Sequence, residues 1–388
     1  MITALTGLSI WDGQAASNAD CIVFENSKIK SICSLEDVPR QAKTISCGGA
    51  TALPGLMDAH VHMELDPNHK TAPKKTDPKQ TGPMRIRAGQ MVKAGITTAR
   101  DLGGGAWLEI DLRNQINSGD ILGPRLLCAG QPITSIKGHC HFWGGEAGDL
   151  EEAIKVLHRQ IDHGADLIKI MATGGRMTTG SSPKETQFDL VTMANLVMEA
   201  ERNNLSVAAH CHGTAGIELA AKAGVHTIEH CSWVGRDGWG SDFQLDIAQI
   251  VAAQGAWVSP TINRGWQRML DNKNQTLVNR LRGIYQSMDE MGIPFIASTD
   301  AGIPGVFHHH LPEALNVFSK IAGLSEERTL KTATSSAASA LGLGGITGQL
   351  KPGLDADILL VDGDPLENLN ALTRPIGVWS RGIAARLP

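Results

Sequence analysis

The sequence lacks the features that would place it in a membrane or on nucleic acid. None of its apolar runs reaches the ~18–20 residues that span a bilayer. The net charge of −5 excludes the basic field that attracts nucleic acid or anionic lipid. We therefore expect neither of these partners. The first residues also lack a positively charged segment followed by an apolar one, so no export signal is visible and we expect a cytoplasmic protein.

Cysteine pairs and aromatic residues are also scarce. The seven cysteines are an odd number, and no two of them stand in a C-x-x-C pair. This argues against a disulfide framework and against a zinc finger. Aromatic residues make up 4% of the chain, with Tyr285 as the single tyrosine. With 388 residues the chain can bury a large core and needs no disulfides or structural metal ions in order to fold.

What the sequence does contain is an alternation of apolar runs and helical patterns. Amphipathic helix patterns occupy residues such as 84–94, 150–163 and 188–203. The apolar runs are eight strand candidates: 53–62, 96–102, 124–130, 166–172, 206–212, 226–231, 256–261 and 294–300. Strands of this kind that alternate with helices indicate a parallel sheet covered by helices.

Eight such units predict an α/β protein with a (β/α)8 TIM barrel over residues 53–342, and a doubly wound open sheet is the competing architecture. The two ends of the chain, residues 1–52 and 343–388, contain short alternating strands instead. We expect these ends to form one small β domain together. The Pro- and Lys-rich segment 66–83 is predicted to be a loop.

Histidines occur where the first predicted strand ends. His60 and His62 are two residues apart, so in a strand both imidazoles point to the same side while Val61 points away. Two neutral imidazoles at this spacing can bind one divalent cation. An H-x-H motif also occurs often by chance, so it carries little weight alone.

Four further strand candidates carry a ligand-type residue at or near their C-terminal ends: Lys169, His210, His230 and Asp300. The C-terminal ends of barrel strands meet at one face, where barrel enzymes build their sites. Burying these six groups without partners would cost roughly several kcal/mol for each group. Bound divalent metal ions would offset this cost. The alternative for any one of them is a hydrogen-bonded histidine or a salt-bridged lysine.

These residues together resemble the amidohydrolase superfamily. The similarity covers the LPGLMDAHVH strand at 53–62, the lysine strand, both later histidine strands, the STDAG segment at 298–302 and the C-terminal G-x-L-x-P-G segment at 348–353. Within the superfamily, TTARDLGG at 97–104 and IKIMATGG at 168–175 favour the imidazolonepropionase-like branch, which includes relatives of Xaa-Pro dipeptidases.

The resemblance implies a distorted (β/α)8 barrel with a small β-sandwich formed by both chain ends. It also implies a binuclear zinc hydrolase of an amide, a peptide bond (in a dipeptide or N-acyl amino acid) or a related carbonyl bond. His60, His62 and Asp300 would hold one Zn²⁺, and His210 and His230 the second. Lys169, desolvated by apolar neighbours, would carry CO₂ as a carbamate that bridges both. A metal-bridging hydroxide would attack the substrate.

The predicted catalytic residues are Asp300, as the base and then the acid, together with His139 and the ligand His230. His139 is expected to orient the substrate carbonyl, with His141 as the second choice. Weaker candidates for substrate contact are His212, Arg176 and Arg264, of which the two arginines suit a substrate carboxylate. The pocket-forming loops are expected at 63–83, 131–149 and 262–272.

Three alternatives remain at this point. A mononuclear deaminase would carry a glutamate in an H-x-x-E pattern, and neither His210 nor His212 is followed by one. A cyclic-amide hydrolase of the imidazolone type needs one metal and no bridging lysine. A non-catalytic scaffold would have lost metal ligands. The substrate is a small molecule that the sequence does not identify, and nothing in it argues against a homo-oligomer.

Overall fold

The structure is a computed structural model that describes residues 1–71, 78–272 and 275–388. Of the predicted loop 66–83, residues 72–77 lie outside the described residues. The chain ends form two sheets. The strands of the N-terminal part are β1 Ile2–Thr6, β2 Ser9–Trp11, β3 Ala16–Ser17, β4 Cys21–Glu25, β5 Lys28–Cys33, β6 Lys43–Ser46 and β7 Thr51–Pro54. Of these strands, β4 and β5 pair antiparallel as a hairpin.

The middle of the chain is α/β, as predicted. Its strands are β8 Leu56–Val61, β9 Ile96–Asp101, β10 Arg125–Cys128, β11 Thr134–Ser135, β12 Glu146–Ala147, β13 Leu167–Met171, β14 Ser206–Cys211, β15 Thr227–His230 and β16 Trp257–Ser259. Its helices are α1 Thr81–Lys93, α2 Leu108–Asn117, α3 Leu150–Asp162, α4 Leu190–Arg202, α5 Thr214–Ala223, α6 Leu245–Gln254, α7 Gln267–Asp271, α8 Gln275–Glu290, α9 Leu311–Ala322, α10 Glu326–Thr332 and α11 Ser335–Ala340.

The C-terminal strands β17 Ile358–Val361, β18 Pro375–Ser380 and β19 Ile383–Arg386 return to the N-terminal ones. They complete a six-stranded sheet in the order β19, β18, β17, β7, β2, β3, which lies beside a four-stranded sheet in the order β5, β4, β1, β6. Side chains of both sheets share one apolar core, where Phe24 meets the ring of Trp379 edge-on at 6.2 Å. Both ends of the chain thus build one apolar cluster.

Two parallel sheets form the centre of the molecule, in the orders β10-β9-β8 and β13-β14-β15-β16. Backbone hydrogen bonds connect them on both sides. On one side, Asp166 N–H donates to Cys128 O over 2.8 Å. On the other, the segment 294–300 bridges the sheets, since Ile296 N–H donates to Val258 O over 3.0 Å and Asp300 N–H donates to His60 O over 2.9 Å. Because all of these strands are parallel, their C-terminal ends lie on the same side.

The predicted strand 53–62 is two strands, since the chain changes partner at Gly55. Leu53 and Pro54 pair with β17, whereas Leu56 donates its N–H to Gly95 O over 2.8 Å. A Cβ at residue 55 would lie 2.1 Å from Thr97 Oγ1, so only glycine allows this crossing.

The predicted strand 294–300 is not a regular strand, because its backbone groups take other partners. Phe295 makes a single bridge to Val258. Ala297 N–H donates to Thr332 O, and Thr299 N–H donates to the carboxylate of Asp58. None of the helices in the described part of the chain combines the length and apolar composition needed to cross a membrane.

Candidate metal centre

The first cluster of candidate ligands lies where β8 ends. His60 Nε2 and His62 Nε2 lie 3.4 Å and 3.3 Å from the same oxygen, Asp300 Oδ1. His60 donates its Nδ1 proton to Glu229 over 2.8 Å, and His62 donates its own to Gly103 O over 3.0 Å. Neutral rings with these partners present a lone pair at Nε2, facing a carboxylate oxygen. Three acceptors that converge in this way fit a bound cation.

Asp300 reaches this cluster through a left-handed backbone turn. Its φ is +59°, a conformation that non-glycine residues seldom adopt. The preceding residue, Thr299, is held on both sides by Asp58, since its hydroxyl donates over 2.6 Å and its N–H over 3.0 Å to that carboxylate. The buried Asp58 therefore supports the turn that points Asp300 toward the histidines.

The second cluster consists of imidazoles from two neighbouring strands. His230 Nε2 lies 2.9 Å from His210 Nδ1, and the ring of His212 stacks on His230 with centroids 4.4 Å apart. His210 donates its Nε2 proton to Gly174 O over 3.1 Å. This tautomer leaves the Nδ1 lone pair facing His230. The donor atoms of these three histidines lie within 4.8 Å of one another, as do those of the first cluster.

His230 enters the cluster because β15 ends in a left-handed turn. The φ values of His230 and Cys231 are +66° and +46°. Strict strand alternation would put Glu229 and His230 on opposite faces. The turn instead lets Glu229 contact His60 while His230 contacts His210.

Lys169 has no hydrogen-bond partner among the described residues, although its side chain is buried. Its strand neighbours Ile168 and Ile170 pack in the apolar core. Burial lowers the pKa of Lys169 to about 8, against the opposing effect of Glu229. A buried amine without a partner fits a residue whose modified form, rather than the free ammonium, has a role here.

Glu229 is held by other groups and does not pair with Lys169. Arg100 donates to it over 2.7 Å and Thr227 over 2.6 Å, while Arg100 also donates to Ala59 O over 2.7 Å. Burial would raise the pKa of Glu229, but Arg100 and His60 hold it well below the usual range. The result is a buried carboxylate that orients His60.

Burial favours the neutral form of five of these imidazoles, which is the form that binds metals, whereas at His62 the effect of burial is outweighed by Asp300, which raises the pKa above its usual value. Burial lowers the pKa of His60 and of His139 to about 4, and that of His212 to about 3. It also lowers the pKa of His210 and His230 well below the usual range. Imidazole nitrogen and carboxylate oxygen are the donors that zinc accepts. The residues present therefore fit two divalent cations.

Both clusters open into one cavity, which two predicted residues outside the clusters also line, His139 and Arg176. His212, a predicted substrate contact, lines the same cavity as a member of the second cluster. His139 is buried with its ring centroid 4.6 Å from that of His210. His141 and Arg264 do not line this cavity. His141 Nδ1 bonds to Gly138 O, and Arg264 lies 3.4 Å from His310.

Sequence reasoning missed several residues of the cavity wall. Trp143 and Trp266 lie in the predicted loops 131–149 and 262–272, but no spacing marked them. Trp239 was missed with them, as were Ser232 and Thr261, which bond to His212 and His230. The sequence did offer one signal for these residues, since each of them lies at or beyond the C-terminal end of a predicted strand, where barrel enzymes build their sites.

The sequence profile of the amidohydrolase family matches residues 51–384. Among characterised proteins, the chain is similar to ochratoxinase from Aspergillus niger, with 28% identity over 96% of this chain and 83% of the relative. It is also similar to imidazolonepropionase from Vibrio cholerae, with 22% identity over 94% of this chain and 92% of that one.

Among solved structures, a Xaa-Pro dipeptidase with methionine bound in its active site superimposes with a TM-score of 0.87. It is 25% identical, over 99% of both chains. Together with the family match, this similarity implies a TIM-barrel-like α/β fold.

Proposed function

The chain belongs to the amidohydrolase family, and from this premise we propose that it is a binuclear metal-dependent hydrolase of amide or peptide bonds, acting on dipeptides or N-acyl amino acids. Membership alone makes it a hydrolase of small molecules. The observation that carries the finer proposal is that both ligand clusters line the same cavity as the buried Lys169, whose amine has no hydrogen-bond partner in the described part of the chain.

We further infer that the two parallel sheets close into a distorted (β/α)8 barrel over residues 53–342. Backbone hydrogen bonds that join the sheets on both sides support this. Residues 1–52 and 343–388 would form the β-sandwich domain, since the two terminal sheets share one core.

Two divalent ions, most consistent with Zn²⁺, would be held by His60, His62 and Asp300 at one position and by His210 and His230 at the other. When bound, such a pair lowers the pKa of a water molecule toward ~7 and polarises a carbonyl.

Lys169 is proposed to carry CO₂. Its neutral amine would add to the carbon of CO₂, so that a C–N bond forms and one C=O bond becomes a carboxylate. The amine proton leaves to water. The anion produced supplies two oxygens to a region whose remaining donors are mostly neutral imidazoles.

Asp300 would move the proton of the reaction. Burial would raise its pKa, but His60 and His62 hold the pKa well below the usual range, so the carboxylate is ionised at neutral pH. It would accept a proton from the attacking water and then deliver it to the leaving nitrogen. His139 would orient the substrate carbonyl, since it lines the cavity beside His210.

The second candidate is a mononuclear cyclic-amide hydrolase or deaminase, which the similarity to imidazolonepropionase favours. Lys169 argues against it, because a mononuclear site leaves this buried amine without a function.

Elemental analysis of protein expressed with zinc and bicarbonate tests the proposal. We expect about two zinc ions per chain, as a binuclear site requires, a carbamate carbon signal after labelling with ¹³C-bicarbonate, and zinc-dependent hydrolysis within a panel of N-acyl amino acids and dipeptides. One zinc per chain without a carbamate signal would favour the mononuclear candidate. No metal after zinc-replete expression would contradict both.

A further inference from the structure

The cationic side chain of Arg176 lies at the cavity and has no carboxylate partner among the residues that the structure describes. Arg176 is exposed, lines the cavity and donates no hydrogen bond within the described ranges. Its guanidinium lies over the indole of Trp239, 4.9 Å from the ring centroid. This cation–π contact orients the side chain and leaves its in-plane N–H groups available.

The same indole connects Arg176 to the candidate metal ligands. Trp239 meets the ring of His212 with centroids 5.1 Å apart, and His212 stacks on His230. Arg176, Trp239 and the histidines therefore follow one another in contact along the wall of the same cavity.

Glycine at residue 175 is required for this placement. A Cβ there would lie 2.4 Å from the ring of His139. The loop after β13 can therefore pass directly over His139 and bring Arg176 to the cavity.

The wall beside Arg176 is apolar and aromatic. Trp266 contacts Trp239 with centroids 6.1 Å apart, and both indoles are half-buried. In a chain with 4% aromatic residues, this concentration at one cavity is notable as a binding surface. An amino acid bound through its α-carboxylate has its side chain on the neighbouring Cα, so that side chain would extend along the two indoles.

We propose that Arg176 and Trp239, with Trp266, form the subsite for the leaving amino acid, and that the substrate is an N-acyl derivative of a large apolar amino acid with a free carboxylate. This inference rests on the proposed amide hydrolysis. Arg176 binds the carboxylate in two parallel N–H···O bonds, and the indoles bind the side chain.

Acetate release from three compounds tests the subsite: N-acetylphenylalanine, N-acetylphenylalaninamide and N-acetylglycine. We expect the acid to exceed the amide in kcat/KM by at least about tenfold, as a charge-assisted pair requires. R176M should remove this advantage, mainly through a higher KM for the acid, and lower kcat/KM for the acid at least about tenfold more than for the neutral amide. R236M is the matched control, since Arg236 is exposed in a neighbouring loop and does not line the cavity.

W239L should reduce the preference for N-acetylphenylalanine over N-acetylglycine by at least about threefold, because it removes aromatic contact area. Equal rates for acid and amide, or equal losses on both in R176M, would overturn the proposal.

Calorimetric binding of the product phenylalanine separates this inference from the proposed function. We expect zinc-loaded protein to bind phenylalanine, and R176M to bind it at least about tenfold more weakly. If no compound is hydrolysed while this difference persists, the subsite stands and the proposed reaction fails. If amides are hydrolysed but R176M binds phenylalanine as the wild type does, the subsite is wrong.

Discussion

The two ligand clusters differ in charge. The cluster of His60, His62 and Asp300 contains a carboxylate, and a second buried carboxylate, Glu229, contacts His60. In the cluster of His210, His212 and His230, the hydrogen bonds of the ring nitrogens within the described residues go to hydroxyl oxygens, a carbonyl oxygen and one another.

The pKa values follow this division at His62 but not at His60, whose pKa burial lowers to about 4. Burial would lower the pKa of His62, but the hydrogen bond and charge of Asp300 raise it above its usual value. The histidines of the second cluster all have lowered pKa values. We infer that the carboxylate of Asp300 lets the first cluster bind a cation without further anions. The second cluster depends on the anion that Lys169 would supply.

The largest effect is expected from D300N. The amide keeps the shape of the side chain but removes the charge and the proton acceptor, so kcat should fall by at least about 10²–10⁴-fold. Steady-state rates measured alongside metal content check this. Near-wild-type turnover with metals bound would remove Asp300 from the chemistry.

K169A tests whether the second cluster depends on the lysine. We expect metal content to fall from about two ions per chain to about one, because the remaining neutral imidazoles leave a second dication uncompensated. Spectra of cobalt-substituted protein should show the first cluster still occupied. K155A is the control, since Lys155 is exposed on α3 and pairs only with Glu151. Equal loss of metal from both clusters in K169A would contradict the inference that only the second cluster depends on Lys169.

E229Q tests the carboxylate behind His60. Glutamine keeps the size of the side chain but loses the charge that fixes the ring, so zinc affinity at the first cluster should weaken by about 10–100-fold. Competition with a chelator measures this. The same loss at the second cluster would show general destabilisation instead. Because Arg100 would lose its ion-pair partner, thermal unfolding of the metal-free variant is measured in parallel.

The smallest effect is expected in the acid stability of metal-free protein. Burial lowers the pKa of His212 from 6.5 in the unfolded chain to about 3 in the folded protein. Its contribution to folding stability is therefore fully present above pH 6.5 and is lost as the pH falls below that value, because the unfolded chain then binds more protons. H212Q should therefore lose less stability than wild type on acidification, by at most about 2 kcal/mol between pH 7 and 5.

H62Q should change acid stability in the opposite direction. The pKa of His62 is raised in the folded state. Its contribution to folding stability is therefore fully present below the pKa of the unfolded chain and is lost as the pH rises through the folded pKa. Removing it should make acidification more destabilising. Urea unfolding at pH 7, 6 and 5 measures both variants. If both substitutions changed the loss of stability on acidification in the same direction, the difference between His62 and His212 would be contradicted.

The strand ends were predictable because apolar runs bounded by ligand-type residues mark buried parallel strands. Seven of the eight predicted strand segments contain a strand of the central sheets, and the three named helices match α1, α3 and α4 within a few residues. The segment 294–300 was not predictable, because its irregularity comes from the carboxylate of Asp58, which is distant in sequence. The division at Gly55 likewise depends on contact with Thr97.

The local order of residues determined which side chains stand at strand ends and which of them suit a metal. Only the tertiary structure decided how they are used. The left-handed turn at Asp300 follows Thr299, which the distant Asp58 holds by two hydrogen bonds, and the ion pair of Glu229 with Arg100 joins two strands across the interior. Side-chain type and alternation are local properties of a chain. Hydrogen-bond partners and the separation of charges arise only once distant strands pack together.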